Sequence, residues 1–166
     1  MYAITREDPA SSEAATLIAA LSATLASVTG ASGESSFDSD DVRGDRARFV
    51  LARTEAGVAV GCGGLRPLDA KVAELKRMYA APGTKGVGSA ILAYLETEAT
   101  ALGYAELWLE TRAVNAHAVA FYERHGYSRI RNFGKYASRS DAVCLAKRLL
   151  SPFSTTLPPA SIRADR

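Results

Sequence analysis

Residues 115–127 read Asn-Ala-His-Ala-Val-Ala-Phe-Tyr-Glu-Arg-His-Gly-Tyr, a short helix with both of its ends marked. Asn115 can cap the first turn through its side-chain oxygen, and Gly126 can end the last. The spacing therefore predicts a helix from about Asn115 to His125. The stretch before it, Ala105 to Thr111 (AELWLET), alternates as a strand should, with Leu107, Leu109 and Thr111 on one face. After it, Tyr127 to Ile130 and Ala142 to Leu149 read as closing strands. The C-terminal half is thus strand, helix, strand, strand.

Working back toward the N-terminus, Ile91, Leu92, Leu95, Ala99 and Leu102 mark a strong amphipathic helix that stops at Gly103. Val72 to Ala80 (VAELKRMYA) is a strand with charges threaded through it. Arg48 to Ala52 and Val58 to Cys62 form a hairpin around Glu55-Ala56-Gly57. Gly61, Gly63 and Gly64 flank Cys62 so closely that a bulge or a close backbone approach is expected there. Residues 29–46 are rich in Gly, Ser and Asp, which predicts a mobile loop with a short helical turn near Asp40. Before it, Leu17, Ile18, Leu21, Leu25 and Val28 give one buried face to a helix that starts at Asp8-Pro9 or Ser11-Ser12 and ends at Gly30. Residues 2–6 make a first strand.

Early strands joined as hairpins and later strands separated by helices predict an α/β (α+β) fold. Its core is a mixed, mainly antiparallel central sheet of about six to seven strands, with helices on both faces. The length of 166 residues suits one domain, assigned to residues 1–150. Residues 151–166, rich in Pro and Ser, are expected to be a disordered tail.

Composition narrows the function classes. Hydrophobic residues make up 48% and charged residues 23%, as in ordinary globular proteins. A net charge of +2 predicts no general attraction to nucleic acid or to an anionic membrane. Cys62 and Cys144 are far apart, with no CxxC pair and no histidine cluster, so neither a metal site nor a disulfide framework is expected. The N-terminus lacks a basic segment followed by an apolar run, and the apolar stretches are short for a membrane span. A cytoplasmic protein is the expectation.

The passage from the 72–80 strand through Pro82-Gly83-Thr84-Lys85-Gly86-Val87-Gly88 into a helix carries chemistry. Glycines let backbone approach an anion, and the exposed N–H groups at a helix start carry the positive end of its dipole. A pyrophosphate suits that geometry, although a plain tight turn uses similar residues. A P-loop is excluded because Lys85 precedes Gly86. A dinucleotide fingerprint is excluded because Ile91 stands where its third glycine belongs.

Two segments resemble the GNAT superfamily of N-acetyltransferases. Asn115, Ala118, Phe121, Tyr122, Gly126 and Tyr127 match every fixed position of that family's N-x-x-A-x-x-F/L-Y-x-x-x-G-F/Y segment. Lys85-Gly86-Val87-Gly88-Ser89-Ala90 resembles its acyl-CoA turn, R/Q-x-x-G-x-G/A, with lysine in place of Arg or Gln. The alternative register, Gly83 to Gly88, keeps both glycines and loses the cation, and the turn is about two residues shorter than usual. The resemblance covers roughly residues 47–149, and LKRMY with FGKY…VCLAK looks like bacterial members that act on small molecules.

The resemblance implies direct acetyl transfer from acetyl-CoA, without a metal, to an amine of a small molecule or peptide. It implies that Met78, Tyr79 and Ala80 contact the pantetheine arm through backbone, and that 85–90 hold the pyrophosphate. Tyr122 is then the proton donor to the departing thiolate. A phenol of pKa about 10 facing a thiol of about 8.5 makes complete transfer uphill by roughly 2 kcal/mol, so a strengthening hydrogen bond is the easier contribution. A lysine-like acceptor amine, of pKa about 10.4, must lose a proton before it attacks. Glu74 is the first candidate base, directly or through water, and Glu110 the second. Either could instead be a paired or solvated strand residue. Asn115 could bond cofactor or simply cap its helix. His117 and His125 read as surface residues, Arg66 as a surface charge that could also meet an anionic substrate, and both cysteines as small buried ones. The substrate side is expected from the first helix, the 29–46 loop and the open ends of the central strands. Dimers are common in the family, so a homodimer is allowed. A non-catalytic acyl-CoA-binding sensor or partner module is the alternative, though it needs neither Glu74 nor Tyr122.

Overall fold

A computed structural model describes residues 1–150, and the tail expected at 151–166 lies outside the described residues. Seven strands form one sheet in the order β1-β2-β3-β4-β5-β7-β6. They are β1 (Ala3–Arg6), β2 (Arg48–Arg53), β3 (Ala59–Pro67), β4 (Val72–Ala80), β5 (Glu106–Arg112), β6 (Ser128–Ile130) and β7 (Ala142–Arg148). Every neighbouring pair is antiparallel except β4 and β5. The mixed, mainly antiparallel sheet expected from the sequence is the one observed.

Three α-helices cover it: α1 (Ser12–Thr29), α2 (Val87–Ala101) and α3 (Ala116–Arg124). The Ser11 side chain caps α1 and Gly30, at φ 79°, closes it. Leu17 is buried beneath α1 with Leu51 and Cys62, and Leu21 is buried too, whereas Val28 in its last turn is 43% exposed. The expected buried stripe therefore ends before Val28. By length and mean hydropathy (1.3), α1 meets the criteria for a membrane span, contrary to the sequence expectation that no stretch is long enough. It is placed here as a helix with one face on the sheet, as the core helix of a globular fold would be.

Helices α2 and α3 lie on the opposite face, where Ile91, Leu92, Leu95 and Tyr122 share a core with Val50, Leu75, Leu107 and Leu109. The glycines near Cys62 do not end β3, which runs five residues past the expected stop at Cys62. A Cβ at Gly61 would come within 2.4 Å of Val87 Cγ1 and 2.8 Å of the Tyr79 carbonyl oxygen. One at Gly63 would meet Ile91 at 2.9 Å. These positions are bare so that the start of α2 can sit directly on the sheet.

The segment expected as a mobile loop, 29–46, contains two 3₁₀ turns, Glu34–Ser36 and Ser39–Val42. Asp38 and Asp41 close a reciprocal capping box on the second turn, near the expected Asp40. Val42 is 3% exposed and, with half-buried Phe37, joins the α1 core, so this polar stretch buries more than its composition implies.

Candidate active site

Strands β4 and β5 hydrogen-bond only at their beginnings, pairing Val72, Ala73 and Glu74 with Glu106, Leu107 and Trp108. Beyond Glu74 they separate, which leaves the β5-facing backbone edge of residues 75–80 without a strand partner. A cavity of about 290 Å³ occupies this opening. Its walls include Ala118 and Tyr122 from the α3 side and Leu21, Leu25 and Tyr136 from the α1 side, so it passes through the gap in the sheet.

The register of β4 explains which side chains reach it. The β3–β4 pairing shifts between Cys62 and Gly64, with one extra residue on β4. There Arg77 adopts φ 54°, the one positive φ among the described non-glycine residues. This bulge resets the alternation. Lys76 and Arg77 both turn toward α1, where two consecutive strand residues would normally face opposite ways. The Arg77 guanidinium lies under α1, with Nη1 3.4 Å from Ser22 Oγ and 3.2 Å from the Ser32 carbonyl, and Cζ 5.1 Å from the Phe37 ring centre.

Glu74 is 1% exposed at the root of the gap. Arg66 Nη1 donates to its Oε1 at 3.1 Å, and the Tyr136 hydroxyl donates to its Oε2 at 3.0 Å. Lys76 Nζ donates to that hydroxyl at 2.9 Å and lies 3.5 Å from Oε2. Burial pushes the Lys76 ammonium below its usual range, against the pull of Glu74. Glu110, further along β5, is paired with Arg112. Arg66, expected at the surface, instead spans Glu74 and, at 3.9 Å, Asp41.

Across the gap, Tyr122 is 7% exposed, and its edge meets Phe121 and Tyr127. Its hydroxyl has no hydrogen-bond partner among the described residues. Burial drives its pKa up, which makes the phenol a poorer acid than in water. Asn115 caps α3, accepting from the Ala118 N–H at 3.3 Å, and also lines the cavity.

At the far end of β4, Gly86 (φ 75°) leads into α2 with no side-chain cap, so the N–H groups of Val87, Gly88 and Ser89 have no helical acceptor. Gly88 has a separate reason to lack a side chain, since a Cβ there would sit 3.3 Å from the Phe121 ring. Lys85 is exposed. Ser89 Oγ bonds His125 Nε2 at 2.9 Å, while His125 Nδ1 lies 2.7 Å from the Phe121 carbonyl. A carbonyl only accepts, so Nδ1 carries a proton, and in the neutral ring Ser89 donates to Nε2. His125 is therefore a tie between α2 and α3, where the sequence reading had placed a solvated residue. His117 is exposed, as expected.

Of the residues proposed from sequence, Glu74, Met78, Glu110, Asn115 and Tyr122 share the cavity. Tyr79, Ala80, Lys85, Gly86, Val87, Gly88, Ser89 and Ala90 lie outside it, along the end of β4 and the start of α2. Lys76, Arg77, Arg112, Lys135, Tyr136 and Arg139 also line it and were not singled out from sequence. Four of them lie in stretches that resemble bacterial small-molecule members, Lys76 and Arg77 in LKRMY and Lys135 and Tyr136 in FGKY, though no role for them follows from those stretches. Burial pushes the Cys62 thiol up to about 12 and raises that of Cys144, so neither is a thiolate nucleophile.

The model of the acetyltransferase (GNAT) family matches residues 18–127, which contain the splayed strands, α2 and α3. The chain belongs to that family. An IAA acetyltransferase of Azospirillum brasilense is 32% identical over 149 residues, covering 88% of this chain and 97% of the relative. A crystal structure described as an acyl-CoA N-acyltransferase of Klebsiella pneumoniae superposes with TM-score 0.78 at 30% identity, covering 90% and 99% of the two chains. A GNAT acetyltransferase from Elizabethkingia anophelis with acetyl-CoA bound shares the fold, with TM-score 0.66 at 17% identity over 89% and 98%. This GNAT member is an acetyl-CoA-dependent enzyme that transfers an acetyl group to an amine. Its residues fit that donor: a strand edge unpaired among the described residues for an extended arm, helix N–H groups without a side-chain cap for phosphates, and a phenol on the wall of the cavity.

Proposed function

We propose that residues 1–150 act as one catalytic unit that acetylates the amine of a small molecule or peptide, with Tyr122 and Glu74 working from opposite sides of the gap. The observation that carries this reading is the cavity itself, which is open to both groups through the splay of β4 and β5. The backbone of Met78, Tyr79 and Ala80 binds the pantetheine arm as an added strand would. The N–H groups of Val87, Gly88 and Ser89, helped by Lys85, receive the pyrophosphate.

Tyr122 donates a hydrogen bond to the sulfur as charge develops on it. Its raised pKa argues against complete proton transfer and leaves it a neutral donor throughout the working pH range. Glu74 receives the amine proton, directly or through a water. A carboxylate has about four acceptor sites, so Arg66 and Tyr136 leave it capacity for one more donor. Glu110, held by Arg112, is the second candidate.

Tyr122→Phe tests the donor. With an identified amine, kcat should fall about 10- to 100-fold, the worth of one hydrogen bond to a charged group, with little change in the acetyl-CoA KM. Unchanged turnover, with chemistry rate-limiting, would rule the role out.

A further inference from the structure

The acceptor end of the cavity has a charge pattern that an ordinary amine site does not need. Five cations line it (Lys76, Arg77, Arg112, Lys135, Arg139) against two carboxylates, Glu74 and Glu110. Glu110 is taken by Arg112, and Glu74 by Arg66 and Lys76. Arg139 pairs with Asp141 at the mouth, where it is 45% exposed. Among the described residues Arg77 forms no ion pair, and Glu34 acts on it only across space. It is 8% exposed, and its Nε and Nη2 have no hydrogen-bond partner among the described residues. A buried guanidinium with two idle nitrogens is costly, and most such groups in proteins have partners. The β4 bulge nevertheless turns Arg77 into this wall at a strained φ of 54°.

From this cation excess and the incompletely bonded Arg77 we infer that the acceptor is a small amine that also carries a carboxylate, seated at the α1 end of the cavity on Arg77. The inference rests on the acceptor site proposed above. An amine alone, or one with a second cation, would enter a wall already rich in positive charge and be repelled. A carboxylate reverses that sign, and the planar guanidinium can hold it with two parallel hydrogen bonds. Pairing requires Arg77 to swing toward the cavity from under Ser32 and Phe37, away from one contact of 3.4 Å and one of 3.2 Å. The volume of about 290 Å³ favours a compact molecule such as a single amino acid.

Calorimetric binding separates this from the catalytic reading, because product-like ligands need no turnover. With the full chain and CoA present, N-acetylalanine and N-acetylphenylalanine should each bind at least about 10-fold tighter than their carboxamides. Arg77→Gln should erase that ratio while leaving carboxamide binding unchanged. Since Arg77 is buried, Arg139→Ala provides a second variant with an exposed side chain, and it should lower the ratio about 2- to 3-fold by weakening the mouth potential. Equal binding of acid and carboxamide by the wild type would overturn the inference. So would a preference that survives both variants. Thiol release with amines but no preference for acids sinks this inference alone. Acid-selective binding with no thiol release from any amino acid sinks the catalytic reading and leaves the carboxylate seat standing.

Discussion

On the α2 and α3 side of the gap, the groups assigned to the donor are largely backbone: the β4 edge past Glu74 and the uncapped N–H groups of Val87, Gly88 and Ser89. Tyr122 is the one side chain with a proposed chemical role there. On the α1 side the wall is made of side chains drawn from β4, β5 and the 131–141 segment, most of them charged and paired. A donor common to a whole family can be held by backbone, which any sequence of the right shape supplies. An acceptor particular to one enzyme has to be held by side chains, and these depend on how distant segments meet. Substitutions on the α1 side should therefore change chemistry and selectivity. On the other side they should mostly change stability or donor affinity.

The largest expected effect is on the α1 side. Glu74→Gln keeps the shape and one of the two accepting oxygens but removes the proton acceptor, so kcat/KM for the amine should fall about 10²- to 10⁴-fold at neutral pH. The loss should shrink as pH rises toward the amine pKa, because more substrate arrives deprotonated. A uniform loss across pH would mean that Glu74 only anchors Arg66, Lys76 and Tyr136. The steady-state profile from pH 6 to 10 measures this.

How far each side could be read from sequence follows the same division. The helix ends at Asn115 and Gly126 and the glycine turn were legible because local backbone geometry dictates those residues, and the close approach at Gly61 and Gly63 because nothing larger fits beneath α2. The proposed donor half of the site lies on those elements. Glu74 was legible as a charge on a strand leading to the opening. Its partner Tyr136 was not, being 62 residues away in a 3₁₀ turn with no periodic signal. Arg77 was illegible for a different reason. Plain alternation places it opposite Lys76, and only the extra residue in β4 brings both to one face. His125 was misread because its partner Ser89 belongs to another helix.

The α2 side also has ion pairs, and a second prediction asks whether they are purely mechanical. Glu98 of α2 accepts from Arg48 and Arg6, both at 2.7 Å, binding the helix to β2 and β1 away from the cavity. Burial pushes its pKa up, but the two guanidinium bonds together outweigh that and hold it below the ordinary carboxylate range. A depressed folded pKa gives stability that is present above the unfolded value, about 4.3, and is lost as pH falls through the folded one. Glu98→Gln should thus cost about 1–2 kcal/mol at pH 7, for a pair that is mostly shielded. Urea midpoints of variant and wild type should converge as pH drops below about 4, with kcat unchanged at pH 7. A gap that persists at low pH would mean that lost packing, not charge, explains the cost.

The smallest expected effect tests whether backbone really dominates on the donor side. Lys85 stands where the family pattern has Arg or Gln, yet it is exposed, and its carbonyl rather than its ammonium is fixed, by the Tyr2 hydroxyl at 2.8 Å. An exposed ammonium contributes about 0.2–1 kcal/mol to an ion pair, so Lys85→Ala should raise the acetyl-CoA KM only about 1.5- to 5-fold. Added salt should narrow the difference, since screening removes such a contribution, while kcat stays the same. Gly86→Ala is the matched change to backbone. With φ at 75° it forces a Cβ into a left-handed conformation costing about 1–2 kcal/mol, and it should weaken the donor site through the start of α2. If Lys85→Ala instead raised KM a hundredfold and Gly86→Ala did nothing, the phosphates would be held by a side chain. The division between a backbone-built donor side and a side-chain-built acceptor side would then fail at its most exposed point.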